Sequence, residues 1–303
     1  MADSPRVLVA GFPSLSMLRE LVAQAKHQTE WTPSLVIPFA GIPAATAAAV
    51  KTVRDEGHAL SVHSVHANFR AVAEFSVGLA LALMRRIVEG DMRMRNGLWL
   101  PSYRDPASTE TESLVGKRIV ILGFGNIGRA LARRLWAFEV ASIRGTRASV
   151  KSVSTEPDGV IVHPSADTPE LLKEADVLFV VLPQAPSTTG LLGEKELALL
   201  HPHALLINVG RGAVIDEAAL FNALKSRSIA GAAVDVWYRY PTDATPAPFS
   251  DHPFHELDNV VLTPHCAART HEAESQRWIQ LAKLLNPLAE DSCAKLANEA
   301  REL

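Results

Sequence analysis

The feature that most constrains this chain is the hexapeptide Gly123-Phe124-Gly125-Asn126-Ile127-Gly128. It follows a strand-like run, Arg118–Leu122, and opens a stretch of helical pattern at residues 126–138. In a strand–turn–helix frame, G-x-G-x-x-G has a mechanical meaning. The first glycine permits the tight turn, the second lets the backbone approach a pyrophosphate, and the third lets the helix pack close to the strand. The helix start then offers unpaired N–H groups and a positive dipole end to phosphate. The frame implies a dinucleotide-binding unit, with Gly123, Gly125, Asn126, Ile127 and Gly128 against the cofactor.

Short apolar runs alternate with helix-like stretches through the chain, the pattern of βαβ units and parallel sheets. Before the turn, residues 6–10, 35–39 and 59–62 read as strands, and 15–25, 43–54 and 69–95 as helices. After it, strands are predicted at 119–122, 140–143, 177–182, 204–208, 230–234 and 260–262, with a weaker one at 160–162. Near-continuous apolar runs such as VLFVVL and ALLINV imply a sheet covered on both faces. The softer segment 96–116, with Gly97, Pro101 and Pro106, is the expected crossing between domains. The mostly helical stretch 272–303 has no strand to return to in the second domain and is expected to pack on the first. The predicted fold is α/β, with two doubly wound parallel-sheet domains. Residues 98–271 form the dinucleotide-binding Rossmann domain, and residues 1–97 and 272–303 a smaller, flavodoxin-like substrate domain.

A length of 303 residues, 48% of them hydrophobic, suits two cores of ordinary size. A net charge of -3 gives no basic footprint for nucleic acid, and steps such as Arg133-Arg134 read as solvated helix faces. The two cysteines, Cys266 and Cys293, make neither a disulfide framework nor a metal-ligand set. His201 with His203, and His63 with His66, lack further spaced ligands, so no metal is expected. A reducing cytoplasm is the expected compartment. The opening MADSPRVLVAGF lacks the apolar stretch of a signal peptide. The apolar run at 75–88 is interrupted by Arg85 and Arg86 and is shorter than the roughly 20 residues of a membrane span.

The residues ending the strand after the glycine turn report on the ribose. An NAD-binding unit usually places a carboxylate there, about 20 residues on, to bond the 2′-hydroxyl. This chain reads Ile143-Arg144-Gly145-Thr146-Arg147-Ala148-Ser149, with no carboxylate. Thr146 and Arg147 stand where a 2′-phosphate would lie, and Arg147 can grip it as a fork. NADPH is the expected cofactor, with NADH the second choice.

Three further segments place polar residues directly after predicted buried strands: 206–216 (LINVGRGAVID), 231–236 (GAAVDV) and 262–265 (LTPH). With GFGNIG, residues 182–192 (LPQAPSTTGLL) and residues 67–86 (ANFRAVAEFSVGLALALMRR), they closely resemble the D-2-hydroxyacid dehydrogenase family, and within it the glyoxylate and hydroxypyruvate reductases. The resemblance covers most of residues 67–270. It implies reduction of a small 2-oxo acid to the D-2-hydroxy acid. Arg211 matches the family's substrate-binding arginine, His265 its catalytic histidine, and Asp235 the position that holds the nicotinamide carboxamide. By the same resemblance Pro183, Thr188 and Val209 meet the cofactor. Ala40 and Gly41, in a loop Phe39-Ala40-Gly41-Ile42, and Asn68 meet the substrate. These residue types suit the chemistry, since such a reduction needs a cation for the carboxylate and an acid for the developing alkoxide. A homodimer, joined through the cofactor domain and the segment around 85–115, is also implied.

Two departures stand out. The family pairs its histidine with a Glu in a segment of the form D-V-F-x-x-E-P, whereas residues 235–241 read DVWYRYP and Tyr240 takes that place. A phenol can hydrogen-bond an imidazole but, with a pKa of about 10, brings no charge at neutral pH. The expected histidine therefore titrates near or below about 6.5, and carbonyl reduction should weaken as pH rises through that range. The second departure is that only 68 residues precede the helix carrying Val72-Ala73-Glu74. The first domain is expected to be shorter than in typical members, by one or two βα units. Oxidation of a small anion such as formate is an alternative, as is a non-catalytic sensor that binds the cofactor on the same fold.

Overall fold

The computed structural model describes residues 8–10, 34–37, 44–57, 61–64, 67–99, 111–240 and 248–285. The backbone divides into two compact units, Met1–Asn68 with Arg269–Leu303, and Phe69–Ala268.

In the first unit, β1 (Leu8–Ala10), β2 (Ser34–Ile37) and β3 (Ser61–Ser64) form a parallel sheet in that order. Helix α1 (Ala44–Asp55) crosses from β2 to β3 and buries Ala49, Val50 and Val53. The helix predicted at 15–25 lies outside the described residues.

The second unit opens with α2 (Phe69–Met84) and α3 (Ile87–Arg95). One continuous helix is predicted over 69–95, but the chain breaks at Arg85-Arg86, with Arg86 left-handed at φ 50°. The break coincides with the end of the apolar face. Helix α2 buries Ala73, Val77 and Ala80, whereas α3 has no buried residue. Those α2 side chains share a core with Leu131 and Leu135 of α4 (Asn126–Leu135). Packing therefore assigns α2 to the second unit, and the division falls after residue 68 rather than at the expected 97. At the far end it falls after residue 268 rather than 271.

The sheet of this unit contains β4 (Arg118–Leu122), β5 (Ser142–Thr146), β6 (Ser154–Thr155), β7 (Ile161–His163), β8 (Val177–Val180), β9 (Leu205–Asn208), β10 (Gly231–Val234) and β11 (Val260–Leu262). Their order is β11-β10-β9-β8-β4-β5-β7-β6, all parallel except the edge pair β6–β7. This is the α/β Rossmann-like architecture that the sequence implies. One core lies under α2 and α4; the other holds Leu171 and Leu172 of α5 (Thr168–Leu172), Leu197 of α6 (Glu194–Leu197) and Leu220 and Leu224 of α7 (Glu217–Lys225). Covering on both faces accounts for the unbroken burial of β8, β9 and β10. Strand β5 lies later than predicted because it pairs along all of β4, Leu122 opposite Thr146. The two-residue β6 is exposed and polar, so no alternation announces it. The last described element is α8 (His271–Leu285), which begins in the first unit.

Candidate active site

The chain runs from β4 to β5 and β7 on one side, then returns to β8 on the other side of β4. Ligands of doubly wound sheets bind at such a reversal, outside the carboxyl ends of the strands. Gly123 and the turn it begins stand there. Gly123 has φ +100°, and a Cβ on it would sit 3.1 Å from the carbonyl of Val181, beyond β8. A Cβ on Gly128 would meet the Gly123 carbonyl oxygen at 3.0 Å, so α4 can approach its strand only without one. Gly125 faces open space and precedes α4, whose start no side chain caps. Uncapped N–H groups beside a bare glycine fit a pyrophosphate.

Around this cradle, Val209 is buried after β9, and Pro183 is exposed after β8. Thr188 keeps its hydroxyl in its own turn, donating to the Pro183 carbonyl (2.7 Å) and accepting from the Ala185 N–H (2.8 Å). Thr146 is 2% exposed, and its carbonyl accepts the Phe124 N–H at 2.6 Å. Arg147 donates from Nε to the Phe124 carbonyl (2.8 Å) and from Nη2 to Glu156 (3.0 Å). A carboxylate thus does stand near the strand end. Glu156 follows β6, whose antiparallel return along β7 brings it back to Arg147.

Arg211 follows β9 in extended conformation and leads into a short 3-10 turn, Gly212–Val214. Its loop is fixed from within: Asn208, 1% exposed, donates from Nδ2 to the Arg211 carbonyl (3.3 Å) and accepts the Gly210 N–H (3.1 Å). Arg211 itself donates from Nη1 to the Gly210 carbonyl at 2.7 Å.

His265 follows β11 at φ 52°, a left-handed backbone unusual for a residue with a Cβ. Asp235, fully buried beyond β10, holds both flanks of that residue. Its Oδ1 accepts the Thr263 hydroxyl (2.6 Å) and the Cys266 N–H (3.0 Å), and its Oδ2 accepts the Ala267 N–H (3.0 Å). Trp237 adds a bond from Nε1 to the Thr263 carbonyl at 2.8 Å. Tyr240 lies beside the histidine by its ring, centroids 5.3 Å apart and tilted by 49°. Its hydroxyl accepts the Trp237 N–H at 3.2 Å. The ring contact brings the two together without a carboxylate in the Glu position.

Residues 40 and 41 lie outside the described residues, and Asn68 closes the first unit. Among the described residues no three His, Cys, Asp or Glu gather as a metal site, and no helix is long and apolar enough to cross a membrane. Asn208, Thr263, Trp237, Arg129 and Glu156 were not foreseen. For Asn208 a signal existed, a polar residue directly closing a buried strand, as Asp235 does after β10.

Residues 77–267 match the family described as D-isomer specific 2-hydroxyacid dehydrogenase, NAD binding domain. The chain is 39% identical over 217 residues to the glyoxylate reductase of Thermococcus litoralis, an alignment covering 71% of this chain and 62% of that protein. It therefore spans about three fifths of the length of such curated relatives. Among solved structures, it is similar to an NADPH-dependent glyoxylate/hydroxypyruvate reductase from Sinorhizobium meliloti, with TM-score 0.66 and 26% identity, covering 94% of this chain and 95% of that one. The NAD complex of a D-isomer specific 2-hydroxyacid dehydrogenase from Lactobacillus delbrueckii ssp. bulgaricus gives TM-score 0.72 and 25% identity, covering 93% and 82%.

Proposed function

The chain belongs to the D-isomer specific 2-hydroxyacid dehydrogenase family, and from that premise we propose that it reduces a small 2-oxo acid, of the glyoxylate or hydroxypyruvate kind, to the D-2-hydroxy acid with NADPH. The observation that carries this reading is a guanidinium and an imidazole at the carboxyl ends of β9 and β11, on loops tied by buried Asn208 and Asp235. A fixed cation and a fixed acid are what carbonyl reduction asks of a protein, because preorganised charge acts without reorganisation during the reaction.

A nicotinamide cofactor, when bound, would supply the hydride. Arg211 holds the substrate carboxylate, and His265 gives a proton from its ring to the carbonyl oxygen. Asp235 keeps the His265 backbone in its left-handed turn. A carboxylate has about four acceptor sites, and those of Asp235 are already met, so an N–H of a nicotinamide carboxamide would take the place of the Cys266 thiol, the longest of its contacts at 3.7 Å. Tyr240 walls the imidazole with its ring, its hydroxyl being engaged by the Trp237 N–H. The preference for NADPH over NADH rests on Thr146 and Arg147 beside the glycine turn. The S. meliloti relative is NADPH-dependent and the L. delbrueckii relative was solved with NAD.

A second copy of the chain covers α3 in this reading. Ile87, Val88, Met92 and Met94 are exposed there, followed by Leu98 and Trp99. A reducing cytoplasm is the compartment that goes with this reading.

The pH dependence of glyoxylate reduction tests the acid. If the His265 ring gives the proton, kcat/KM for reduction should fall as pH rises and the ring loses its proton. A rate flat from about pH 6 to 8.5 would count against the imidazole as the proton donor.

A further inference from the structure

Glu156 is absorbed by neither the glycine turn nor the reacting groups, yet it is built into the wall of the cofactor cradle. Its Oε1 receives Nη2 of Arg147 at 3.0 Å and Nη2 of Arg129, on the first turn of α4, at 3.1 Å. Both guanidiniums lie over the ring of Phe124, 5.8 and 5.5 Å from its centroid. Phe124 is the second residue of the glycine turn and is fully buried. One carboxylate oxygen therefore serves two cations, and the cluster keeps a net positive charge. Arg129 also has a buried Nη1 with no hydrogen-bond partner.

Two like charges brought to one ring repel each other, and the shared carboxylate offsets that repulsion. The geometry leaves Arg147 with two of its donors spent, Nε on the Phe124 carbonyl and Nη2 on Glu156. An anion arriving at Arg147 would then share a guanidinium with a carboxylate.

We propose that Glu156 sets the discrimination between NADPH and NADH, by competing with the 2′-phosphate for Arg147 and Arg129. This rests on the reading that Arg147 faces the adenosine 2′ position. With Glu156 in place the preference for NADPH is held below what the two arginines could give. Without its charge, both arginines become available to a 2′-phosphate, which can accept from several donors at once. The 2′-hydroxyl of NADH carries no charge and gains little from the change.

Equilibrium binding of 2′,5′-ADP and of 5′-ADP to the whole chain separates the possibilities without turnover. Glu156→Gln should tighten 2′,5′-ADP at least tenfold and leave 5′-ADP within about twofold. The gain should shrink in high salt, as expected for partly exposed charges. Arg129→Met should do the opposite and weaken 2′,5′-ADP, because Glu156 then bears on Arg147 alone. This second variant keeps the test open if the first fails to fold, which thermal unfolding would reveal. An unchanged or weakened 2′,5′-ADP affinity in folded Glu156→Gln overturns the proposal, and weakening would make Glu156 an orienting support. Arg147→Met tests the underlying reading separately. If it leaves the ratio of the two ligands unchanged, Arg147 does not face the 2′ position, and both ideas fall. If Arg147→Met removes the preference and Glu156→Gln does nothing, only the role of Glu156 falls.

Discussion

The two ends of the eight-stranded sheet use the same three residue types, Arg, Asp and His, in different ways. At the amino ends of the strands, Arg118 opens β4, Asp176 precedes β8 and His203 precedes β9, and both the arginine and the histidine bond the aspartate. Asp176 accepts the Arg118 backbone N–H (2.7 Å), its Nε (3.0 Å) and its Nη2 (2.7 Å), and His203 Nε2 lies 3.0 Å away. At the carboxyl ends, Asp235 spends its oxygens on Thr263 and on the backbone around His265. One trio ties strands together; in the other, the carboxylate shapes the loop that carries an imidazole. Residue type therefore does not announce function. The direction of the strand at which a polar residue stands is more informative.

The largest way to break this comparison is to neutralise a group at each end. His265→Gln and Arg211→Gln should each lower glyoxylate reduction by about a hundredfold to ten-thousandfold, with cofactor affinity retained. Asp176→Asn should leave the rate unchanged. Steady-state kinetics with cofactor titration checks both arms. A catalytic loss in the Asp176 variant would erase the distinction.

Asp235→Asn sharpens it further. An amide can donate as well as accept, so it cannot receive all three chain donors as a carboxylate does. The expected loss in kcat is about ten- to a hundredfold, with the pH profile moved, because the His265 backbone is no longer held. A profile unmoved by this variant would deny Asp235 its positioning role.

The amino-end trio should show itself in stability. Hydrogen bonding from the Arg118 guanidinium holds the Asp176 carboxyl well below the usual carboxylate range, against the opposing effect of its partial burial. A depressed folded value stabilises fully above the unfolded value, about 3.9, and that contribution shrinks below it and is lost as pH falls through the depressed folded value. Asp176→Asn should therefore lower stability at pH 7 by about 1–3 kcal/mol, and the gap from wild type should begin to narrow below about pH 4. For a unit of this size each kcal/mol moves Tm by roughly 2–4 °C. Thermal scans stepped downward from pH 7 make the comparison, and a gap that does not narrow at all below about pH 4 counts against the pair.

The smallest effect belongs to Tyr240. Since its ring lies beside His265 and its hydroxyl is engaged by the Trp237 N–H, Tyr240→Phe should keep kcat/KM within about threefold, the worth of one neutral hydrogen bond. Tyr240→Ala should reduce it more. Equal losses in the two variants would move the role from ring to hydroxyl.

Much of the site is legible in the sequence because it sits at strand ends, where an apolar run stops and a polar residue begins. Gly123, Asn208, Asp235 and Thr263 all lie at such stops. Glu156 was not legible, since it reaches Arg147 through a two-residue antiparallel edge strand without apolar patterning. The break at Arg85-Arg86 escaped for another reason. Helical periodicity continues across it, and only the change from a buried to an exposed helix marks it. Likewise the three glycines were readable as a cradle, whereas the left-handed backbone of His265 depends on Asp235, thirty residues earlier.

The most direct measurement is oxidation of NADPH and of NADH by the purified chain against glyoxylate, hydroxypyruvate and pyruvate. Turnover of at least one small 2-oxo acid is expected, and it should be lost in His265→Gln. Tight cofactor binding with no turnover of any of them would contradict this reading, and would make the chain a cofactor-sensing protein on a dehydrogenase fold.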